Sequence, residues 1–146
     1  MVAAAVERAE RENSGLTILA VTVLTSLDTA DLEAIGIPGS PSDHALRLAR
    51  SAHGAGARGF VCSPAELPAM RAALGPDVLL VTPGIRPAGS ATGDQKRTGT
   101  PRQALLDGAS LLVVGRPIRE AADPALAARN VLQEMTEALS FASRSS

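Results

Sequence analysis

With 146 residues, 45% hydrophobic and 20% charged, the chain has the length of about one domain and the composition of a packed core rather than a disordered tail. A net charge of −1 and only two aromatic residues, Phe60 and Phe141, argue against a nucleic-acid surface, which needs positive field and stacking rings. The single cysteine, Cys62, can form neither an internal disulfide nor a metal cluster and fits a reducing cytoplasm; the opening residues are charged where a signal needs an apolar core, and no apolar run is long enough to span a bilayer.

Val2, Val6 and Ala9 recur at helical spacing and predict a helix over residues 1–12, with no N-cap before it. The nearly continuous apolar run Leu16 to Leu24 reads as a parallel strand buried on both faces, ending at Thr25-Ser26. Asp28 to Ile35 predicts a short helix stopped by Gly36, and Ser42 is a candidate cap for a helix from Asp43 to about His53. Gly59 to Cys62 is the next strand. Ser63-Pro64-Ala65-Glu66 combines a capping box with proline at the first helical position, opening a helix with Leu67, Met70 and Leu74 inward.

Val78 to Val81 is a third strand. After a long loop, Thr100-Pro101-Arg102-Gln103 repeats the cap-and-proline pattern and opens a helix ending near Gly108. Leu111 to Val114 is the fourth strand, and Asp123-Pro124 opens a last helix with Leu126, Val131, Leu132, Met135 and Leu139 expected to face inward. Strands alternating with helices imply an α/β fold with a parallel sheet and right-handed crossovers. Four such units are half of a (β/α)8 barrel, which typically needs about 250 residues. A complete four-stranded open sandwich is the competing architecture.

Chemistry concentrates where the last two strands end. Val81-Thr82-Pro83-Gly84-Ile85-Arg86-Pro87 closes one, and Val113-Val114-Gly115-Arg116-Pro117 the other. Glycine lets backbone N–H groups approach an anion closely, and arginine offers a planar fork of donors that matches phosphate oxygens. Gln95 adds a possible amide donor from the loop between. Each motif alone could be a strand-exit turn with a solvated arginine; together they suggest an anion pocket.

These stretches resemble the orotidine 5′-phosphate decarboxylase family. Leu19 to Ser26 followed by Asp31-Leu32 is similar to its fifth-strand region. Val81 to Pro87 with Gly93-Asp94-Gln95-Lys96-Arg97 is similar to its seventh strand and phosphate-gripping loop, and Val113 to Ile118 to its eighth. The resemblance implies a single partial barrel domain over residues 1–146, the C-terminal half of the (β/α)8 fold, with the N-terminal half absent. It implies a nucleotide ligand, orotidine or uridine 5′-phosphate, and decarboxylation in pyrimidine biosynthesis without a cofactor. By the same resemblance Thr25 would bind the nucleotide, with Ser26 as its possible substitute. Arg86 and Gln95 would contact the 5′-phosphate, and Gly115 with Arg116 would hold it from the opposite side. Gly89 to Arg97 would be a mobile lid. The full-length family is expected to be a cytoplasmic homodimer, with neither nucleic-acid nor membrane partners.

The family's catalytic array, Asp-x-Lys-x-x-Asp with a further Asp and Lys, has no counterpart in these residues. Asp94-Gln95-Lys96-Arg97-Thr98-Gly99 supplies Asp-x-Lys but ends in glycine and lies in a loop rather than at a strand end. Lys96 is the only lysine, so the array cannot lie elsewhere in the sequence. The chain alone is therefore expected to be inactive, with all catalytic residues preceding Met1. A non-catalytic phosphate-binding half-barrel, or a half that assembles with another chain through strand edges near Val21 and Val113, are the alternatives. A related barrel such as a hexulose-phosphate synthase would not share the Thr-Pro-Gly-Ile-Arg-Pro motif. His44 and His53, nine residues apart, read as solvated or capping residues, and no metal site is supported. Cys62 reads as a buried thiol, Met70 and Met135 as core filler, and Glu7, Glu10, Asp31 and Glu33 as solvated helix faces.

Overall fold

The computed structural model describes residues 1–12, 15–87 and 96–142. In chain order these form α1 (Val2–Arg11), β1 (Leu19–Val21), α2 (Thr29–Ala34), α3 (Pro41–Gly54), β2 (Gly59–Val61), a 3-10 turn (Pro64–Glu66) running into α4 (Leu67–Leu74), β3 (Leu79–Thr82), α5 (Pro101–Leu106), β4 (Leu111–Leu112), α6 (Arg116–Arg119) and α7 (Pro124–Ala142). The four strands pair in sequence order, all parallel.

Register decides between the two architectures. Ala20, Phe60 and Leu80 stand in one row across the sheet, so their side chains share a face. Phe60 and Leu80 are fully buried there, in one cluster with Ala45 and Ala49 of α3 and Leu67, Met70 and Leu74 of α4. The next row, Val21, Val61, Val81 and Leu111, points to the opposite face. There Val21 is 61% exposed and Leu111 54% exposed, with Val113 at 48%. An open sandwich needs helices over both faces; this sheet has its core on one, and on the other Val81 is buried while the apolar edges at Val21, Leu111 and Val113 are open, as the inside of an unfinished barrel would be.

The open edge also explains why β1 is shorter and wetter than its apolar run suggests. Only Leu19–Val21 is regular strand, because β2 is its sole neighbour and pairing fades after Thr22, whose N–H donates to the Val61 carbonyl at 3.3 Å. β4 is likewise cut to two residues, although the Val113 N–H still reaches the Thr82 carbonyl at 2.9 Å.

Helix starts follow local chemistry closely. Asp28 and Asp31 form a reciprocal capping box on α2, so Asp31 is a capping group and not simply a solvated one. The Asp123 carboxylate accepts the Leu126 N–H at 2.9 Å to open α7. Ser40, not Ser42, caps α3, accepting the Asp43 N–H at 3.1 Å with Pro41 in the first turn; the Ser42 hydroxyl turns instead to Glu66 at 3.3 Å. Thr100 caps α5, but the Gln103 amide reaches forward to Asp107 rather than back to the cap. The inward face of α7 differs from expectation. Val131 and Ala138 are buried, Met135 is half-buried, and Leu126, Leu132 and Leu139 are exposed. α7 packs against α5, and its larger leucines stay outside.

One side chain fastens the opposite rim of the sheet. Arg71 of α4 donates to the carbonyls of Gly75, Pro76 and Val78 before β3, and to the Gly108 carbonyl and Ser110 hydroxyl before β4. Ser110 Oγ in turn accepts the Leu80 N–H at 3.0 Å. Truncating Arg71 strands several half-buried carbonyls at once, so Arg71→Ala is expected to cost about 2–4 kcal/mol in urea unfolding; a loss within experimental error would show that water replaces these bonds.

Candidate functional site

Parallel strands bring all four exits to one rim, and the described residues expected to bind the ligand, Thr25, Arg86, Gly115 and Arg116, lie there. Thr25 follows β1, Cys62 and Ser63 follow β2, Gly84 and Arg86 follow β3, and Gly115 and Arg116 follow β4. Of the expected lid, Gly89 to Gln95 lie outside the described residues, and only Lys96 and Arg97 are described.

Arg86 and Arg116 follow the neighbouring strands β3 and β4, near enough for their charges to interact. Arg86 is only 9% exposed, with Nη1 donating to its neighbour's carbonyl, Ile85, at 2.8 Å. Burial lowers its pKa from the ordinary arginine value, and the positive charge of Arg116 lowers it further, with Glu120 opposing. Two like charges at neighbouring strand exits raise the positive potential of this part of the rim. Gly115 begins α6, a turn the sequence did not signal. A Cβ there would meet nothing within 4 Å, so packing does not demand glycine at that position; its exposed backbone is open to a ligand.

Gly84 has a different task. Its φ of 79° lies in the left-handed region that favours glycine, and it turns the chain so that Ile85 can pair in parallel with Gly99. The Gly99 N–H donates to the Gly84 carbonyl at 3.3 Å and the Arg86 N–H to the Gly99 carbonyl at 2.9 Å. Arg86 is therefore held at its backbone by the returning arm of the loop. Gly99 itself is hemmed in: an added Cβ would come within 2.7 Å of the Pro64 ring.

Thr25 is 8% exposed and borders a cavity of about 270 Å³, which Ser26, Cys62 and Pro83 also line. Its carbonyl accepts the Lys96 N–H at 3.3 Å. Lys96, the tempting half of an Asp-x-Lys motif, places Nζ 2.8 Å from both Asp28 and Asp31. It is an ion-pair residue on the rim. Next to it, the Arg97 guanidinium makes an ion pair with Glu66, whose side chain is 1% exposed, and also donates to Ser63 Oγ and to the Val23 and Leu24 carbonyls. The sequence signalled Glu66 as a cap, and its carboxylate does accept the Ser63 N–H at 2.6 Å; it placed Arg97 only at the end of the expected lid, not as an anchor of the rim.

Cys62 is buried, and burial pushes its thiol up to about 11, which leaves it protonated and inert at neutral pH. His44 accepts from Arg47 at Nδ1 and donates from Nε2 to the Pro38 carbonyl, while the His53 ring sits 6.2 Å from that of Phe60. No cluster of three metal-ligating side chains occurs among the described residues, and no described helix is long and apolar enough to cross a membrane.

A parallel sheet with helices on one face, and a cationic pair at its strand exits, defines part of a β/α barrel. The family profile "Orotidine 5'-phosphate decarboxylase / HUMPS family" matches residues 1–131, and the chain belongs to that family. It is 58% identical over 131 residues to an orotidine 5′-phosphate decarboxylase of Anaeromyxobacter sp. (strain K), covering 90% of this chain and 56% of that one. Against the same-named protein of Thermobifida fusca it is 55% identical over 135 residues, 92% of this chain and 56% of the relative. The crystal structure of orotidine 5′-phosphate decarboxylase from Lactobacillus acidophilus superposes with a TM-score of 0.66 at 38% identity, covering 82% of this chain and 49% of that one. The chain thus spans about half the length of the curated relatives it matches.

The Lys96 cluster makes a pH prediction. The hydrogen bond from Lys96, then that from the Asp31 N–H, holds the Asp28 carboxyl at about 2, below its ordinary 3.8. The folded form binds fewer protons than the unfolded one between these values, so Asp28 stabilises the fold above about pH 4 and that contribution is lost as pH falls towards 2. Urea midpoints at pH 4.5 and 2.5 should therefore drop less in Asp28→Asn than in the native chain; equal drops would place the acid sensitivity elsewhere.

Proposed function

We propose that this chain is the C-terminal half of an orotidine 5′-phosphate decarboxylase barrel and that it binds the 5′-phosphate of the nucleotide. The placement of buried Arg86 and of Arg116 at the exits of the neighbouring strands β3 and β4 carries the reading. Arg86 and Arg116 grip the phosphate as charged forks, Gly115 offers open backbone, and Gln95 completes the grip from the loop. Thr25, beside its cavity, takes the nucleoside end. Residues 1–146 then make one partial barrel domain.

In this reading the chain holds the handle of orotidine 5′-phosphate, and the bond-breaking step belongs to residues it does not contain. A lysine ammonium must protonate the ring carbon as carbon dioxide leaves, among carboxylates arranged to favour that charge. Here the sole lysine is tied to Asp28 and Asp31 on the rim. The apolar face, open at Val21 and Leu111 on its edges, is the surface that four further strands of a barrel would cover. A homodimer of the completed barrel remains part of the proposal.

Calorimetry with uridine 5′-phosphate tests the grip. Arg116→Ala should weaken binding by about tenfold or more, as loss of a charge-assisted hydrogen-bonded pair requires. The purified chain should release no carbon dioxide from orotidine 5′-phosphate, whereas a chain restoring four preceding strands should. Nucleotide binding that survives Arg116→Ala would overturn the proposed site, and turnover by the 146 residues alone would overturn the division of labour.

A further inference from the structure

Beyond Thr22 the β1 exit has left the sheet, and its backbone needs other partners. Three consecutive carbonyls find them in two consecutive residues of the loop returning from β3. Val23 and Leu24 accept from Arg97 Nη2 at 3.1 and 2.9 Å, and Thr25 accepts the Lys96 N–H at 3.3 Å. The same guanidinium reaches through Nη1 to the Glu66 carboxylate and Ser63 at the β2 exit. Lys96 Nζ adds Asp28 and Asp31, the two members of the α2 capping box. Three residues further on, Gly99 pairs with Ile85 and accepts from the Arg86 N–H.

We infer that residues 96–99 act as a spacer that fixes the separation of Thr25 from Arg86, with Arg97 as its principal positioning residue. One end of this short stretch is bonded to the β1 exit, the other to the backbone of the β3 exit, and the strand between is gripped through Glu66 and Ser63. Arg97 contacts no ligand in this account. It acts through Thr25, whose carbonyl and two preceding carbonyls are held from the loop side. A spacer of this kind selects for ligand length: a nucleoside 5′-monophosphate that reaches both exits gains from it, and a bare phosphate does not. The ligand arm of this inference rests on the reading under Proposed function; the positioning arm does not.

Removing Arg97 alone would leave a buried carboxylate unpaired, so the test pairs Arg97→Met with Glu66→Gln. In the unliganded chain, the Leu27 and Asp28 amides should exchange with deuterium about tenfold faster or more, while those of Met70 and Leu80 keep their rates. By calorimetry, affinity for uridine 5′-phosphate should fall about tenfold while affinity for inorganic phosphate stays unchanged, because Arg86 and Arg116 are intact. Arg97→Lys, which keeps the charge, should recover part of the nucleotide affinity. Unchanged exchange at Leu27 and Asp28, or parallel losses for nucleotide and phosphate, would overturn the inference. Should the native chain bind neither ligand, the functional reading fails and the exchange rates still decide the positioning. Should the double variant not fold, Lys96→Met alone must speed exchange at Asp28 and Asp31, and no acceleration there contradicts the spacer.

Discussion

A carboxylate buried at Glu66 governs the arrangement of this rim. It is 1% exposed, and an ionised group so far from water persists only with close partners. It has the Ser63 N–H, the Ser42 hydroxyl and the Arg97 guanidinium. These belong to the β2 exit, the start of α3 and the returning arm of the β3 loop. One charge therefore holds three segments that are distant in sequence, and through Arg97 it reaches a fourth, the exit of β1.

This constraint separates two roles that the arginines of the rim could otherwise share. Arg97 is committed to protein acceptors, with Glu66 and Ser63 on one nitrogen and two carbonyls on the other. Arg86, buried, and Arg116, half-buried, stand instead at the exits of the neighbouring strands β3 and β4. The proposed phosphate grip uses Arg86 and Arg116, whereas Arg97 braces the rim.

Local chemistry was legible in the sequence and distant chemistry was not. Asp28, Thr100 and Asp123 announce helix starts because their caps close within three residues. The alternation of strand and helix gave the parallel α/β order, and the Gly-Arg exits marked the rim. The apolar run from Leu16 to Leu24 overstated β1, since apolar character cannot say whether a second neighbour is present. Choosing the largest apolar residues of α7 misplaced its inner face, where Val131 and Ala138 are buried instead. Arg71 and Arg97 look like any surface arginine in the sequence; their decisive acceptors lie 31 to 74 residues away. The family resemblance proposed ligand contacts by position, but it said nothing of the brace beside them.

The central claim is that Arg86 and Arg116 receive a phosphate at the strand exits. Its most direct measurement is the nitrogen–proton correlation spectrum of the arginine Nε–H groups, recorded with uridine 5′-phosphate and with uridine. The nucleotide should move the Arg86 and Arg116 signals while uridine leaves both in place. Equal shifts with uridine, or no shift of either signal with the nucleotide, would contradict the account.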